Sequence, residues 1–351
     1  MSNEELFDCF GSDDEEEEYV NDQVEQNSSL RLPQQKTRIV QRDPNCGVCS
    51  QLNVEKSLLV HVKNNLSSSK SLSEHDESNN SSTHRDDGTK NLNEDENIMS
   101  RTVEIQKIID EFCNKRAWMM NIGPEKGSII QNALRERINK FVEIHRRKVD
   151  HDNFNVDSSH NKPHFVCVEL GTYCGYGSTI LAKILHEYAM KYDHIDFHLF
   201  TVEINPLFAQ IAKEIVDLCH MSKYITILEN DLLFSGETGD VGLLLKEGIR
   251  KHFSVGEEND CCIDFLLIDH DKDSYLSDLK LLERHGMIKE GSKIAADNVM
   301  FAGIKDYVSY MKDLVEAGIV RSRTVESMVE YSGADIFKDG DEKLFEDAIG
   351  K

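Results

Sequence analysis

The chain has 351 residues and a net charge of −24 at pH 7, which argues against nonspecific binding to DNA or RNA, because that requires a basic face. No apolar run approaches the roughly 20 residues that cross a bilayer, and the acidic start MSNEELFDCF lacks the basic and apolar parts of a signal peptide. These features predict a cytoplasmic protein that binds neither nucleic acid nor membrane.

Half of the negative charge lies in residues 1–100, where 9 Lys and Arg stand against 21 Asp and Glu. The acidic run 13–18 and the polar tract 67–97 offer too little apolar surface to offset the entropy of ordering them. Residues 1–100 are therefore expected to be acidic, polar and mostly disordered, with an unknown partner. Residues 101–351 should form the folded domain, and deletion of residues 1–100 should leave its activity nearly intact.

Nine cysteines at irregular spacings, without an export signal, indicate reduced thiols. Cys46 and Cys49 form a C-x-x-C pair upstream of His61. Without a second pair this motif is weak evidence for zinc, so no zinc site is predicted. The surrounding stretch, 42–62, ends in an amphipathic run, Leu58, Leu59 and Val62, which is interpreted as a short docking element.

Helical periodicity begins near Arg101, and a second helix is predicted from about Pro124 to about His145. The loop between them carries Trp118, which would serve equally well as core or as the wall of a ligand pocket. The polar segment Arg146–Lys162 is interpreted as a surface insertion.

From residue 165 onward, apolar strand patterns alternate with helical ones. Strands are predicted at 165–170, 197–202, 224–228, 263–268 and 293–296, and helices at 180–188, 206–219, 241–252, 275–285 and 305–317. This alternation predicts an α/β fold with a doubly wound, mostly parallel sheet. The stretches 320–325 and 331–337 follow too closely for a helical crossover, so they suggest an antiparallel edge and seven strands in all.

The first predicted strand runs into a glycine-rich turn, ELGTYCGYG at 169–177, that opens a helix. Its glycines, Gly171, Gly175 and Gly177, allow a tight turn beside helix N–H groups that can hold an anion. Glu203, at the end of the second strand, could accept both hydroxyls of a ribose. An adenosine-containing ligand is favoured over a purely structural turn. Because the spacing is not G-x-G-x-x-G, S-adenosylmethionine is preferred to a dinucleotide.

Two later strands end in acidic residues. The apolar run 265–268 is followed by an acid, a histidine, a second acid and a lysine, and the run 294–296 by another acid and an asparagine. If the strands are neighbours, Asp269, Asp297 and Asn298 supply three hard oxygen ligands, which is a set that suits Mg²⁺. The alternative is that such acids merely begin loops or cap helices.

Residues from about 101 to the C terminus resemble the catechol O-methyltransferase family, which depends on Mg²⁺ and S-adenosylmethionine. The resemblance rests on stretches in one order: WMMNIG with Lys126-Gly127, ELGTYCGY, VEINP at 202–206, IDHDK at 268–272, ADNV at 296–299 and VEY at 329–331. It implies a Rossmann-like class I methyltransferase fold and methyl transfer to a hydroxyl of a catechol or similar vicinal diol.

The resemblance also implies roles for individual residues. Asp269, Asp297 and Asn298 would bind Mg²⁺, Lys272 would be the general base, and Glu330 would hydrogen-bond the hydroxyl that is not methylated. The expected reaction is an in-line displacement at the sulfonium methyl, in which alignment and exclusion of water matter most.

On the cofactor side, the resemblance implies that Glu203 holds the ribose and that Ile204 and His270 border the adenine, with Asp231 as a further candidate. The residues expected around the methionine portion are Ile122, Glu169, Gly171, Tyr173 and Gly177.

The sequence departs from the family at three positions. Asp271 stands where the family usually has tryptophan, Ala302 where it has proline, and Gly177 where it has serine. The first two changes predict a wider and more polar substrate slot. A catalytically weak binding module that retains the cofactor and docks partners through the acidic tail is the main alternative to an enzyme, and a nicotinamide dehydrogenase is a third. An enzyme is favoured because every expected ligand and the base are present.

Overall fold

The computed structural model describes residues 51–73, 87–151, 162–230, 239–256, 261–300, 304–328 and 330–331. The helices in these ranges are α1 (Gln51–Ser73), α2 (Asp87–Lys115), α3 (Gly123–His151), α4 (Tyr176–Ala189), α5 (Pro206–Leu218), α6 (Val241–Phe253), α7 (Tyr275–Arg284) and α8 (Lys305–Glu316). The strands are β1 (His164–Leu170), β2 (Asp196–Glu203), β3 (Ile225–Glu229), β4 (Phe265–Ile268) and β5 (Lys293–Ala296).

The five strands form one parallel sheet in the order β3-β2-β1-β4-β5, with apolar clusters on both faces. The predicted Rossmann-like architecture is confirmed, whereas the described residues show five strands rather than the seven predicted. Residues 320–325, expected to begin the antiparallel edge, form no strand, and 332–337 lie outside the described residues.

Ordered structure begins earlier than the expected start near Arg101. Helix α1 places Leu58, Val62 and Leu66 in the same buried cluster as Ile109 of α2. Its amphipathic face therefore belongs to the core, although the surrounding segment is polar overall. The acidic run 13–18 and the C-x-x-C pair lie outside the described residues.

Strand register decides where the site residues emerge. Leu170 of β1 pairs with Ile268 of β4, which in turn pairs with Ala296 of β5. On the other side, Leu170 pairs with Val202 of β2. The residues that follow these strands therefore share one edge of the sheet, where open α/β folds bind their ligands.

Candidate active site

The acidic ends of β4 and β5 are neighbours, as the strand patterns predict. The backbone N–H of Asp269 donates to the carbonyl of Leu170 over 2.9 Å, and that of Asp297 to the carbonyl of Ile268 over 3.0 Å. Asn298 adopts a left-handed backbone, with φ of 57°, and its N–H donates to Oδ1 of Asp297 over 2.8 Å. Two carboxylates and an amide side chain are thus brought to adjacent loops.

Lys272 is anchored beside these two loops by a series of hydrogen bonds. We call the surface that carries Asp269, Lys272, Asp297 and Asn298 the rim. Its Nζ lies 3.2 Å from Oδ1 of Asp269 and donates to the Tyr275 hydroxyl over 2.7 Å. That hydroxyl donates to the carbonyl of Asp297 over 3.1 Å. Tyr275 was not singled out from the sequence, yet it is fully buried and links the two acidic loops.

Glu330 reaches the rim because the chain around it is tied to the helical layer. The indole N–H of Trp118 donates to the carbonyl of Glu330 over 3.0 Å, and the hydroxyl of Tyr331 donates to Oδ1 of Asp110 over 2.8 Å. Trp118 is therefore a partly buried anchor of the Glu330 segment, a role more specific than simple core.

Lys126 is a rim residue that sequence reasoning missed. Its Nζ lies 3.0 Å from the carboxylate of Asp297 and also contacts Oε1 of Glu330. Burial lowers the pKa of Lys126, but the two carboxylates outweigh it and raise that pKa above its usual value. The side chain is a partly buried cation. Lys126-Gly127 carried part of the family resemblance, but its partners lie far away in sequence.

The rim has a deficit of positive charge. Asp269, Asp297 and Glu330 contribute three carboxylates, whereas Lys126 and Lys272 contribute two ammonium groups. Burial raises the pKa of Asp269 and of Glu330.

Within the described residues, no group of three or more His, Cys, Asp or Glu side chains could hold a metal ion. The predicted set contains two carboxylates and an amide oxygen, a donor chemistry that fits Mg²⁺ with positions left for substrate and water.

The glycine turn packs directly against the acidic loop. Gly171 has φ of 100°, and a Cβ there would collide with the carbonyl oxygen of Asp269. A Cβ at Gly177 would collide with Oε1 of Glu169 and lie 3.1 Å from Cδ1 of Ile122. A side chain at position 177 would therefore require the Glu169 carboxylate to move, and the predicted residues Ile122 and Glu169 both lie beside Gly177 at this turn.

Glu169 is a carboxylate held beneath the turn. It is 1% exposed and accepts hydrogen bonds from the hydroxyls of Ser178 and Thr201, the latter over 2.7 Å. Burial raises the pKa of Glu169 to about 8, despite these two donors. Neither hydroxyl was predicted to matter, since serine and threonine at such positions give no distinctive sequence signal.

Glu203 lies at the same edge of the sheet, at the end of β2. Its carboxylate accepts hydrogen bonds from the N–H of Tyr173 over 2.7 Å and of Asn205 over 2.9 Å. Burial raises the pKa of Glu203, and these backbone donors oppose that effect. Tyr173 has φ of 48° and donates its hydroxyl to Oε1 of Glu55 on α1 over 2.7 Å. Helix α1 thus touches the turn itself.

The remaining predicted residues lie around this core. His270 shares a hydrogen bond of 2.9 Å with Asp278, and its ring stacks on Tyr275. Ile204 is 41% exposed at the sheet edge, and Asp271 is exposed and accepts the hydroxyl of Ser274 over 2.9 Å. Asp231 and Ala302 lie outside the described residues.

The chain is similar to known methyltransferases over about two thirds of its length. No family model matches it. Catechol O-methyltransferase B of Danio rerio is 31% identical over 235 residues, which is 67% of this chain and 69% of that protein. The chain belongs to the catechol O-methyltransferase family. It is a catechol O-methyltransferase-like methyltransferase, as the sequence resemblance predicted.

A second family member matches over less of its own length. Catechol O-methyltransferase of Mus musculus is 29% identical over 208 residues, so the chain spans 60% of that protein. Among solved structures, the O-methyltransferase TomG of Streptomyces achromogenes in complex with SAM is 15% identical, with a TM-score of 0.39 over 64% of this chain and 78% of that one. In the described residues of the chain itself, none of the helices has the length and apolar character that a membrane span requires.

Proposed function

We propose that the chain transfers the methyl group of S-adenosylmethionine to one hydroxyl of a catechol or similar vicinal diol, with Mg²⁺ bound at the rim. The observation that supports this best is the register of β1, β4 and β5, which brings the glycine turn, the oxygen ligands and Lys272 to one edge. A catalytically weak binding module gains no support, because every expected ligand and the base are present.

In this proposal the metal is held by Asp269, Asp297 and Asn298. When bound there, Mg²⁺ would supply the positive charge that lowers the pKa of the diol oxygens and would fix their position. Lys272 would act as base in its neutral amine form, which the positive charge of a nearby Mg²⁺ would favour over the ammonium form, and would then accept the proton of the attacking hydroxyl. The hydrogen bonds through Tyr275 keep this amine near the metal ligands.

The methyl donor would lie along the edge from β1 to β2, in contact with residues predicted from the sequence. Glu203 would accept the ribose hydroxyls, and Ile204 and His270 would border the adenine. The methionine portion would be surrounded by Ile122, Glu169, Gly171, Tyr173 and Gly177. When bound, S-adenosylmethionine would supply the methyl group from its sulfonium. The diol oxygen would bond to the methyl carbon as the carbon–sulfur bond breaks, the sulfur would become a neutral thioether, and Lys272 would hold the proton.

Removal of divalent metal tests the proposed reaction directly. Methyl transfer from labelled S-adenosylmethionine to 1,2-dihydroxybenzene should fall to the background rate in excess chelator and return when Mg²⁺ is added beyond the chelator. The physical reason is that the diol would lose both the positive charge that lowers its pKa and its point of attachment. Undiminished turnover in chelator would exclude the metal role, and 1,4-dihydroxybenzene, which cannot chelate, should not be methylated.

The cofactor assignment is tested by Glu203→Gln. Glu203 now accepts hydrogen bonds from two backbone N–H groups, and the NH₂ of a glutamine side chain would face one of them, donor against donor. The variant would also lose charge-assisted hydrogen bonds to the ribose. Affinity for S-adenosylmethionine should therefore fall by about tenfold to a hundredfold. Glu229→Gln is the matched control, because Glu229 pairs with Glu203 in the β2–β3 register. Calorimetry showing equal affinity for the two variants would remove Glu203 from the cofactor site.

A further inference from the structure

Two ion pairs link helix α3 to strand β5 and to the residue that follows it, and the two pairs differ in environment. At the amino end of β5, Lys293 pairs with Glu136, whose side chain is 54% exposed. At the carboxyl end, Lys126 is 12% exposed and its partners Asp297 and Glu330 are 10% and 9% exposed. Only the second pair lies at the proposed metal rim, and it is nearly dry.

The Lys126 ammonium contacts two carboxylates with different proposed tasks. Asp297 is a proposed metal ligand and Glu330 a proposed partner of the diol. Trp118 and Tyr331 fix the backbone around Glu330, whereas Lys126 holds the carboxylate itself. A dry ammonium between carboxylates also offsets their mutual repulsion, which would otherwise push the two loops apart.

We propose that Lys126 is a positioning residue that aligns Glu330 with Asp297 and weakens metal binding by keeping part of the Asp297 charge neutralised. The inference rests on the proposed function, since it assigns a task to a residue beside the same site. A fixed positive charge 3.0 Å from a ligand carboxylate opposes a divalent cation bound to that carboxylate. Lys126 thus lowers the affinity for the metal and, at the same time, holds the carboxylates of the rim in place.

Two variants separate the charge of Lys126 from its hydrogen bonds. Lys126→Met removes both, whereas Lys126→Gln removes the charge and keeps a donor for Asp297 or Glu330. Both should bind Mg²⁺ at least about tenfold more tightly than the unaltered full chain, because the opposing charge is gone. Turnover at saturating Mg²⁺ should fall in both, and further in Lys126→Met, because the Glu330 carboxylate is then no longer held.

The decisive measurement is calorimetry of Mg²⁺ alone with the full-length protein and each variant. Lys293→Met is the matched control: it removes a lysine from the same helix–strand contact at the opposite edge, and its Mg²⁺ affinity should stay within about twofold of the unaltered chain. Thermal unfolding checks that each variant is folded, and the glutamine variant suffices if the methionine variant is not.

Unchanged or weaker Mg²⁺ affinity in the Lys126 variants, with normal binding by the unaltered chain, would overturn the inference and leave the proposed function standing. Mg²⁺ binding by the variants but not by the unaltered chain would support the inference and count against the proposed metal role in the native protein. Absence of Mg²⁺ binding in all proteins would overturn both.

Discussion

Replacing Lys272 by methionine is expected to lower the rate of methyl transfer by about 10²- to 10⁴-fold, the usual contribution of a positioned general base. The Lys272 amine is anchored to Tyr275 and lies beside Asp269, whereas Lys126 at the same rim is held between Asp297 and Glu330. Binding of S-adenosylmethionine should persist, because the residues proposed for the cofactor lie mainly at β1 and β2.

A pH profile distinguishes loss of a base from loss of structure. In Lys272→Met the remaining rate should rise in proportion to hydroxide concentration, since solvent must then take the proton. Lys280→Met on α7, at an exposed position whose ammonium lies over the ring of Tyr310, is the control and should retain full turnover. A Lys272 variant within about fivefold of normal turnover would exclude the general-base role, because a base contributes at least a hundredfold.

The residues that lie at the carboxyl edge of the sheet could be predicted from the sequence, because their positions depend on local patterns. The apolar run before Asp269 and the run before Asp297 each predict a buried strand, and parallel strands that are neighbours must deliver the following residues to one edge. The position of Gly171 is equally local, since its left-handed backbone is part of the turn. These features require no knowledge of distant contacts.

The parts that could not be predicted depend on partners far apart in the chain. Lys126 and Glu330 are separated by 204 positions, and nothing near either residue indicates the other. Thr201 becomes a support for Glu169 only because β1 and β2 pair with Glu169 opposite Thr201. The amphipathic run of helix α1 was visible in the sequence and was interpreted as a docking element, but its packing into the core depends on distant residues and was missed.

That buried face of α1 leads to a large loss of stability expected from a single substitution, Val62→Asp. Val62 is fully buried against α2, so the substitution removes about 1.5–3 kcal/mol of apolar burial and adds the cost of a buried unpaired carboxylate. A decrease of about 4 kcal/mol or more in the free energy of unfolding is expected, which would lower the melting temperature by roughly 10 °C.

Val60→Asp is the matched control, because Val60 lies on the same helix and is 55% exposed. It should shift the melting temperature by less than about 2 °C, as surface changes usually do. Composition alone predicted that deletion of residues 1–100 would leave the activity nearly intact, and helix α1 reverses that expectation. The deletion should destabilise the domain more than Val62→Asp does, since it removes all of α1, part of α2 and the Glu55 contact to Tyr173 at the glycine turn. Calorimetric unfolding and cofactor binding of the three proteins provide the test. A shortened protein that is stable and active would show that α1 packs on the domain without stabilising it. A cofactor affinity that falls together with the stability would show that the enzyme requires α1.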